Sequence, residues 1–361
     1  MDNNISRMAR GLKRLGVSHR PHLKTSKCTN VAEAVFGGQK GPITVSTLAE
    51  ANYFFKAGFK DIMYAVGINP NKLDDVKSLL ALGADLKIIL DSPEVASLVT
   101  SYGTQNNIYI KTLIELNCDD HRAGLEPLDD ETLKTAIILH EGKGTHFMGV
   151  MTHAGDSYNC ISIKAIETMA EVERKCVVDC ATFLNENGIP SPIVSVGSTP
   201  TALFAKDLTG VTEVRAGVYV FFDLFQAGVG SCKPEDIALS VLTTIISHKK
   251  SLNRIITDAG GMALSKDRGT GGQKIDRKYG LVCEAKSGKI IENFIVGDVS
   301  QEHGMVSSLK GDIDFSKYPI GSKLRILPNH ACMTAAAHSQ YHLLDKNSEE
   351  VTYIWQRCTG W

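Results

Sequence analysis

The stretch Arg20-Pro21-His22-Leu23-Lys24-Thr25-Ser26-Lys27 joins a short β-prone run to a helical segment at Asn30–Phe36. It places Lys24 where a strand ends and a helix follows, at the mouth of an α/β fold. A lysine amine in such a place shifts its pKa readily and forms Schiff bases with aldehydes. These eight residues alone favour a solvated basic turn. The remainder of the chain favours the hypothesis that Lys24 carries pyridoxal phosphate (PLP).

The pattern around this stretch is a repeat in which a short apolar run ends in polar residues and an amphipathic helical stretch follows. Such alternation predicts parallel strands with crossover helices. Eight runs predict a closed (β/α)8 TIM barrel, a fold of about 250 residues. A doubly wound open sheet is the alternative. The eight runs are His19–Leu23, Ile43–Ser46, Ile62–Val66, Leu86–Asp91, Ile108–Leu116, Phe147–Met151, Ile193–Val196 and Val214–Val220.

The composition is that of a globular protein with two domains. The 361 residues are 43% hydrophobic and 22% charged, and the net charge of −1 gives no indication of nucleic acid or membrane binding. Nine cysteines without paired spacing and an N-terminus without an apolar signal segment predict reduced thiols in a cytoplasmic protein. Short β-prone segments replace the repeat near residue 232, so we expect a barrel at 1–232 and a smaller, mostly antiparallel β domain at 233–361. These segments are Ile237–His248, Arg254–Asp258, Gly280–Glu284, Lys289–Val296, Lys323–Leu327 and Val351–Arg357.

A turn after the seventh run resembles an anion cradle. Gly197 allows close backbone approach, Ser198 and Thr199 offer hydroxyls, and a helix that begins near Pro200 adds free N–H groups. An ordinary helix N-cap is the alternative, since Ser and Thr are preferred there. Barrel phosphate sites use the loops after strands seven and eight, so the neighbouring segment at 215–217 favours phosphate.

A second cluster of unusual residues lies in the predicted β domain. His330 and Cys332 are two residues apart, so both side chains face the same way in an extended segment. Imidazole and thiolate together suit zinc, and a two-residue chelate leaves positions open for water or substrate. A buried cysteine beside a hydrogen-bonded histidine is the alternative.

These features resemble a known family. A barrel with a lysine on its first strand, followed by a β domain, resembles the fold type III PLP enzymes, the alanine racemase class. Within that class the sequence is similar to the zinc-dependent D-serine dehydratase and D-threonine aldolase group. The matching blocks are RPHLKTSK (20–27), ITVSTLAEA (43–51), MTHAG (151–155), VSVGSTPTAL (194–203), EVRAGVYVFFD (213–223), LSKDRG (264–269), QEHG (301–304) and LPNHAC (327–332).

The resemblance implies a lyase that removes water from a D-3-hydroxy amino acid, D-serine or D-threo-3-hydroxyaspartate, and gives a 2-oxo acid and ammonia. It implies PLP and zinc as cofactors, a homodimer, Lys24 as the Schiff-base lysine, and His330 and Cys332 as zinc ligands. It also implies a set of residues around the cofactor: Ser198, Thr199, Gly217 and Val218 at the phosphate, Arg122 near the phenolic oxygen, Arg215 and His153 on the pyridine nitrogen side, and Tyr158 beside the ring or substrate.

Other activities on the same fold remain open. A metal-dependent D-threonine aldolase would give glycine and an aldehyde, but aldolases of the group carry His-x-Asp where this chain has Cys332. A PLP carrier would lack the second domain, and a racemase would need a catalytic tyrosine there. Family members also carry a further strand before the segment that matches Asn3–Met8, so we expect either a shortened sequence or a β domain without one edge strand.

Overall fold

The larger unit of the computed structural model spans Ile5–Gly217 and is built on eight parallel strands. The structure describes residues 1–120, 122–344 and 350–360. The strands are β1 (Ser18–His19), β2 (Ile43–Val45), β3 (Asp61–Gly67), β4 (Asp85–Leu90), β5 (Ile110–Leu116), β6 (Thr145–Thr152), β7 (Ile193–Val196) and β8 (Glu213–Val214). The helices are α1 (Asp2–Arg14), α2 (Thr29–Val35), α3 (Leu48–Lys56), α4 (Leu73–Ala81), α5 (Pro93–Gln105), α6 (Asp130–Glu141), α7 (Ile163–Glu186) and α8 (Thr199–Phe204).

The sheet curls until its two edge strands meet. Its order is β1-β8-β7-β6-β5-β4-β3-β2, and a parallel bridge between His22 and Thr44 joins the chain after β1 to β2. In this bridge the Leu23 N–H donates to the Thr44 carbonyl at 2.9 Å, and the Thr44 N–H donates to the Pro21 carbonyl at 2.9 Å. The predicted TIM-like (β/α)8 barrel is therefore confirmed.

Two of the predicted strands are shorter than the sequence suggested. The run His19–Leu23 contributes only His19 to a strand, because Pro21 has no N–H to donate and the chain then turns. The run Val214–Val220 contributes only Val214, because Val218–Val220 forms a 3-10 turn. Both strands therefore end close to the residues proposed to bind the cofactor.

Several helices of the barrel start where a side chain can satisfy a free backbone N–H. Thr47 accepts from the Glu50 N–H at 3.0 Å and begins α3. Ser92 does the same for α5, which has a proline in its first turn, and Ser162 caps α7. A cap of this kind contributes about 1 kcal/mol and fixes the point at which each helix begins.

The smaller unit comprises Met1–Asn4 with Val218–Gly360, and its centre is a closed antiparallel barrel. The strand order is β10-β13-β12-β11-β14-β9, so each strand is hydrogen-bonded on both sides. A separate hairpin, β15–β16, follows. The elements are α9 (Leu224–Val229), β9 (Val241–Lys249), β10 (Arg254–Thr257), α10 (Gly261–Leu264), β11 (Leu281–Glu284), β12 (Ile290–Val299), β13 (Gly304–Ser308), β14 (Lys323–Leu327), α11 (Ala331–Ala336), β15 (Gln340–Leu344) and β16 (Val351–Gln356).

The interior of this small barrel explains why the sequence forms it. Each of the six strands sends one fully buried, β-branched side chain into a shared core, the arrangement that suits valine and isoleucine in sheets. These residues are Ile245, Ile255, Val282, Val296, Val306 and Ile326. The predicted antiparallel β domain is confirmed, although the sequence analysis did not identify β13 and β15.

The division by internal contacts falls after Gly217, earlier than the expected boundary at residues 232 and 233. Local hydrogen bonds explain the difference. The N–H groups of Leu224 and Phe225 donate to the carbonyls of Pro328 and Asn329, at 3.0 and 3.1 Å. The first turn of α9 thus belongs with the segment that carries His330.

Candidate active site

Lys24 lies in the turn between β1 and α2, and its side chain is exposed while those of Leu23, Thr25 and Ser26 are buried. The turn is anchored by Lys27, whose ammonium pairs with the buried Glu50 carboxylate at 3.1 Å. An exposed amine on an anchored turn is accessible to an aldehyde. The sequence analysis had placed Lys24 at this junction between a strand and a helix.

Two histidines share the surroundings of Lys24. His153 follows β6, and its Nδ1 lies 2.9 Å from the Gly197 carbonyl. A carbonyl accepts only, so Nδ1 carries the proton and Nε2 keeps its lone pair. Burial, followed by the charge of Lys24, lowers the pKa of His153 to about 3. The structure thus brings Lys24 and His153 together at the carboxyl ends of the barrel strands, where barrel enzymes carry their active sites.

His22 is a site residue that the sequence analysis did not single out. Its Nε2 lies 2.9 Å from the Ser46 hydroxyl, and burial together with the charge of Lys24 holds its pKa well below the ordinary range. The available signal was its position two residues before Lys24, which gives both side chains the same direction in extended chain. Two neutral imidazoles therefore flank the cationic amine.

These half-buried histidines make the free energy of unfolding depend on pH. Burial also lowers the pKa of His19 to about 4, from an ordinary value of 6.5. Below about pH 6.5 the unfolded chain binds protons that the folded chain does not. The free energy of unfolding should therefore decrease as the pH is lowered below about 6.5. The decrease should continue to about pH 4 for His19 and to about pH 3 for His153, with at most ~1.4 kcal/mol per pH unit from each.

Urea unfolding at pH 7, 6 and 5 measures this slope. The substitution His19→Asn is expected to flatten it, whereas His140→Asn, on the exposed end of α6, is expected to leave it as in the unmodified protein. A slope unaffected by His19→Asn would contradict the prediction.

Arg215 is buried and fixed by polar groups of two neighbouring strands. Its Nη1 donates to the Ser195 hydroxyl at 2.6 Å, and its Nη2 donates to the Thr152 carbonyl. Ser195 in turn donates to Glu213 at 2.8 Å, and the other oxygen of Glu213 accepts from Arg20 at 2.8 Å. Burial lowers the pKa of Arg215 and Glu213 opposes that effect. A guanidinium titrates so far above neutral pH that Arg215 stays cationic.

The turn after β7 combines a helix cap with an unused hydroxyl. Ser198 caps α8 by accepting from the Thr201 N–H at 3.2 Å, and its hydroxyl also lies 2.7 Å from that of Ser157. The ordinary N-cap interpretation therefore holds for Ser198. The Thr199 hydroxyl is buried and has no hydrogen-bond partner among the residues that the structure describes. A buried hydroxyl without a partner is costly, so this group fits an oxygen-rich ligand such as a phosphate.

Two glycines hold the ends of the strands close together. A Cβ on Gly197, whose φ is +139°, would lie 2.6 Å from the Arg215 nitrogen, and one on Gly217 would lie 2.2 Å from the His22 carbonyl. Glycine is therefore needed at both positions because backbone atoms of a neighbouring segment lie where a side chain would be. Val218 follows Gly217 and opens the 3-10 turn.

A carboxylate on α7 ties the loops after β6 and β7 to each other. Glu173 is buried, and one of its oxygens accepts from the Ala154 and Gly197 N–H groups, both at 3.0 Å. Burial raises its pKa. The sequence analysis missed Glu173, although a single charged residue on the apolar face of a helix was a usable signal.

Arg122 and Tyr158 complete the set predicted for this unit. Arg122 is exposed, and its Nη2 donates to the buried Glu115 carboxylate at 2.9 Å. Its charge adds to the effects that lower the pKa values of His22 and His153. The Tyr158 ring lies 6.0 Å from that of His153. Both residues therefore belong to the surroundings of Lys24.

The smaller unit carries the predicted metal ligands. The expected extended segment is wrong in detail, because α11 begins at Ala331 and only His330 has an extended backbone. The two side chains nevertheless meet, since Cys332 is hydrogen-bonded to the His330 ring. The His330 ring also contacts Asp267, whose Oδ2 lies 2.7 Å from His330 Nδ1. Burial alone would lower the pKa of His330, but Cys332 and Asp267 raise it to about 9.

A second carboxylate reinforces the negative surroundings of this pair. Asp223 is buried and accepts from the Gln226 and Ala331 N–H groups at 2.8 Å, and burial raises its pKa to about 6. Within residues 1–120, 122–344 and 350–360, no group of three or more metal-ligating side chains occurs. The chemistry of the His330–Cys332 pair, an imidazole and a thiol with carboxylates beside them, fits a cation that keeps open coordination positions.

All nine cysteines lie in the described part of the chain and are thiols. Among the same described residues, every helix is too short or too polar to cross a bilayer.

Comparison with known proteins identifies two families along the chain. Residues 1–224 match the family described as "Alanine racemase, N-terminal domain" and residues 238–344 match the "Putative serine dehydratase domain". D-threo-3-hydroxyaspartate dehydratase of Delftia sp. (strain HT23) is 45% identical over 100% of this chain and 95% of its own length. D-serine dehydratase of Dictyostelium discoideum is 34% identical over 96% of this chain and 91% of its own length.

The solved structures agree with these sequence relationships. The structure of the Delftia enzyme covers 100% of this chain and 95% of its own, at 44% identity and a TM-score of 0.95. The D-threonine aldolase of Arthrobacter sp. is a more distant relative, 27% identical over 93% of this chain. The chain therefore belongs to the alanine racemase-like family that includes the D-serine and D-threo-3-hydroxyaspartate dehydratases, which are lyases.

Proposed function

We propose that this protein is a PLP- and zinc-dependent dehydratase of D-3-hydroxy amino acids. The observation that carries the proposal is the exposed Lys24 amine, which lies among two imidazoles held neutral by burial at the carboxyl ends of the barrel strands. A lysine in such surroundings suits a carbonyl cofactor. Loss of water from D-serine, followed by hydrolysis of the resulting enamine, would give pyruvate and ammonia. The same two steps from D-threo-3-hydroxyaspartate would give oxaloacetate and ammonia.

The residues of the barrel fit PLP. Lys24 would hold its aldehyde, the unpartnered Thr199 hydroxyl and the chain at Ser198, Gly217 and Val218 would receive its phosphate, and Arg215 would lie at the ring nitrogen. Arg122, His153 and Tyr158 would surround the remainder of the ring. When bound, PLP supplies an electrophilic carbon that fixes the substrate amine and a ring that accepts electron density.

The residues of the smaller unit fit zinc. His330 and Cys332 would be its protein ligands, with Asp267 supporting His330. When bound, zinc supplies a Lewis acid for the substrate β-hydroxyl, a poor leaving group by itself. One observation on a relative supports this assignment: a cysteine-to-alanine mutant of D-threo-3-hydroxyaspartate dehydratase has been solved in a metal-free form.

Proton transfer falls to Lys24. Its Nζ would be the basic group that takes the Cα proton of the substrate. His153 does not compete as an acid, because its only ring proton is on Nδ1 and is donated to the Gly197 carbonyl. Arg215 keeps its charge beside Glu213 and disfavours protonation of a neighbouring ring nitrogen by like-charge repulsion. A ring beside this cation would be a weaker acceptor of electrons, so the proposal includes help at the leaving hydroxyl.

Product analysis tests the proposal. The holoenzyme is incubated with D-serine, D-threo-3-hydroxyaspartate and D-threonine, each with and without a chelator, and ammonia, 2-oxo acid, glycine and aldehyde are measured. We expect ammonia and a 2-oxo acid in equal amounts, both lost with chelator, and the rate order identifies the substrate. Glycine with an aldehyde would instead support the aldolase.

The proposal also includes a homodimer and a cytoplasmic location. The composition and the reduced cysteines are the supporting observations for the location, and the family resemblance is the supporting observation for the dimer. Light scattering on the purified holoenzyme and cell fractionation test the two statements.

A further inference from the structure

We propose that Asp267 is a positioning residue of the metal site, which holds His330 in the tautomer that can bind a metal ion. The inference rests on the proposed function for the presence of zinc at His330 and Cys332. Its structural basis is the 2.7 Å contact between Asp267 Oδ2 and His330 Nδ1.

The chemistry of this contact decides which ring nitrogen is available. A carboxylate only accepts hydrogen bonds, so the proton of a neutral His330 ring must lie on Nδ1. Nε2 then has the free lone pair that a metal requires. A histidine ligand whose second nitrogen donates to a carboxylate is held in one orientation and is a stronger base toward the metal. Asp267 is thus suited to fix the ring that Cys332 also contacts.

Asp267 is itself held in place independently of any metal. Its other oxygen, Oδ1, accepts from the Gly269 N–H at 2.7 Å. The buried side chain of Asn329, which directly precedes His330, donates to the carbonyls of Asp267, at 3.1 Å, and Lys278. The Asn329 oxygen accepts from the Thr270 hydroxyl at 2.9 Å. Asp267 and His330 therefore lie on segments that hydrogen bonds already join. The fold thus sets the orientation of the His330 ring.

The test compares two carboxylates of one loop. Asp276 pairs with Arg268 at 2.7 Å and with Lys278 at 3.0 Å, so Asp276→Ala is a matched control that removes a carboxylate without touching His330. Zinc affinity is measured on the PLP-loaded protein, after metal removal, by competition with a chelating dye. We expect Asp267→Ala to weaken zinc binding roughly 10–100-fold, Asp267→Asn to weaken it less, and Asp276→Ala to leave it unchanged.

Two further measurements separate positioning from folding. The thermal midpoint in the absence of metal should be the same in Asp267→Asn and Asp276→Ala, and 15N spectra of the zinc form should show the His330 proton on Nδ1. Unchanged affinity in both Asp267 variants, or equal losses in Asp267→Ala and Asp276→Ala, would overturn the inference alone. An unmodified protein that binds no zinc would overturn the metal assignment of the proposed function and this inference with it.

Discussion

Substitution of Lys24 by alanine is expected to remove the visible absorbance of the PLP-loaded protein and to lower kcat/KM by at least about 10³-fold. Both effects have one cause in the proposed function, since the same amine would attach the cofactor and would take the Cα proton. No neighbouring side chain can replace it in both roles. The imidazoles of His22 and His153 cannot form the Schiff base, and the guanidinium of Arg215 is fixed by Ser195 and the Thr152 carbonyl.

A second substitution at the same position separates chemistry from charge. Lys24→Arg keeps a cation beside the two histidines but offers no amine to an aldehyde, so it should lose absorbance and activity as completely as Lys24→Ala. Lys60→Ala removes an exposed lysine just before β3 and should retain both. Absorbance spectra and steady-state rates measure the three variants. Substantial turnover by Lys24→Arg would show that the amine is not the essential group.

The fold was predictable where strong apolar runs are bounded by turn residues. The strand β7 begins and ends at the predicted residues 193 and 196, and β14 matches its prediction of 323–327 as well. Periodicity was insufficient at β8, because a continuous apolar pattern from 214 to 220 hides the change from strand to 3-10 turn after Gly217. That change depends on the close approach of Gly217 to the His22 carbonyl, a contact between residues far apart in the chain.

Contacts between residues far apart in the chain also limited the prediction of the site residues. Lys24, His153 and Ser198 could be identified because each follows a predicted strand, where side chains of a parallel barrel converge. Glu173 offered only the weaker signal of a charge on an apolar helix face, and Asp267 offered none, because each acts through a distant partner. Asp267 is 63 positions from His330, and nothing in local spacing indicates that they meet. Supporting residues of this kind become visible only when the fold brings their partners within hydrogen-bond distance.

The proposed requirement for metal follows from the surroundings that we propose for the ring nitrogen of the cofactor. Arg215 is buried, hydrogen-bonded through Ser195 to Glu213, and cationic. A cation at that nitrogen disfavours its protonation and leaves the ring a weaker acceptor of electrons. The β-hydroxyl then needs assistance to depart, and the His330–Cys332 pair is the candidate to provide it through zinc.

Substitution of Cys332 by alanine should therefore abolish zinc binding and lower dehydratase activity by about 10²–10⁴-fold, while the absorbance of bound PLP remains. Chelation of the unmodified protein should produce the same loss, reversed by added zinc. Cys358→Ala, at a partly buried cysteine near the C-terminus, is the matched control and should retain metal and rate. Metal content, absorbance and ammonia release measure the outcome. Full activity in zinc-free Cys332→Ala would remove the metal from the mechanism.

The replacement Cys332→Asp tests whether a ligand or a thiol is needed at this position. A carboxylate still binds a cation, but its hard oxygen shifts the preference from zinc toward ions such as Mn²⁺. We expect metal binding to return with Mn²⁺, because Asp267 still orients His330, and dehydratase activity to return with it in part. If Mn²⁺ binds and the products become glycine and an aldehyde, the residue at position 332 selects between departure of the hydroxyl and cleavage of the Cα–Cβ bond. Recovery of a 2-oxo acid and ammonia would instead assign that choice to other residues.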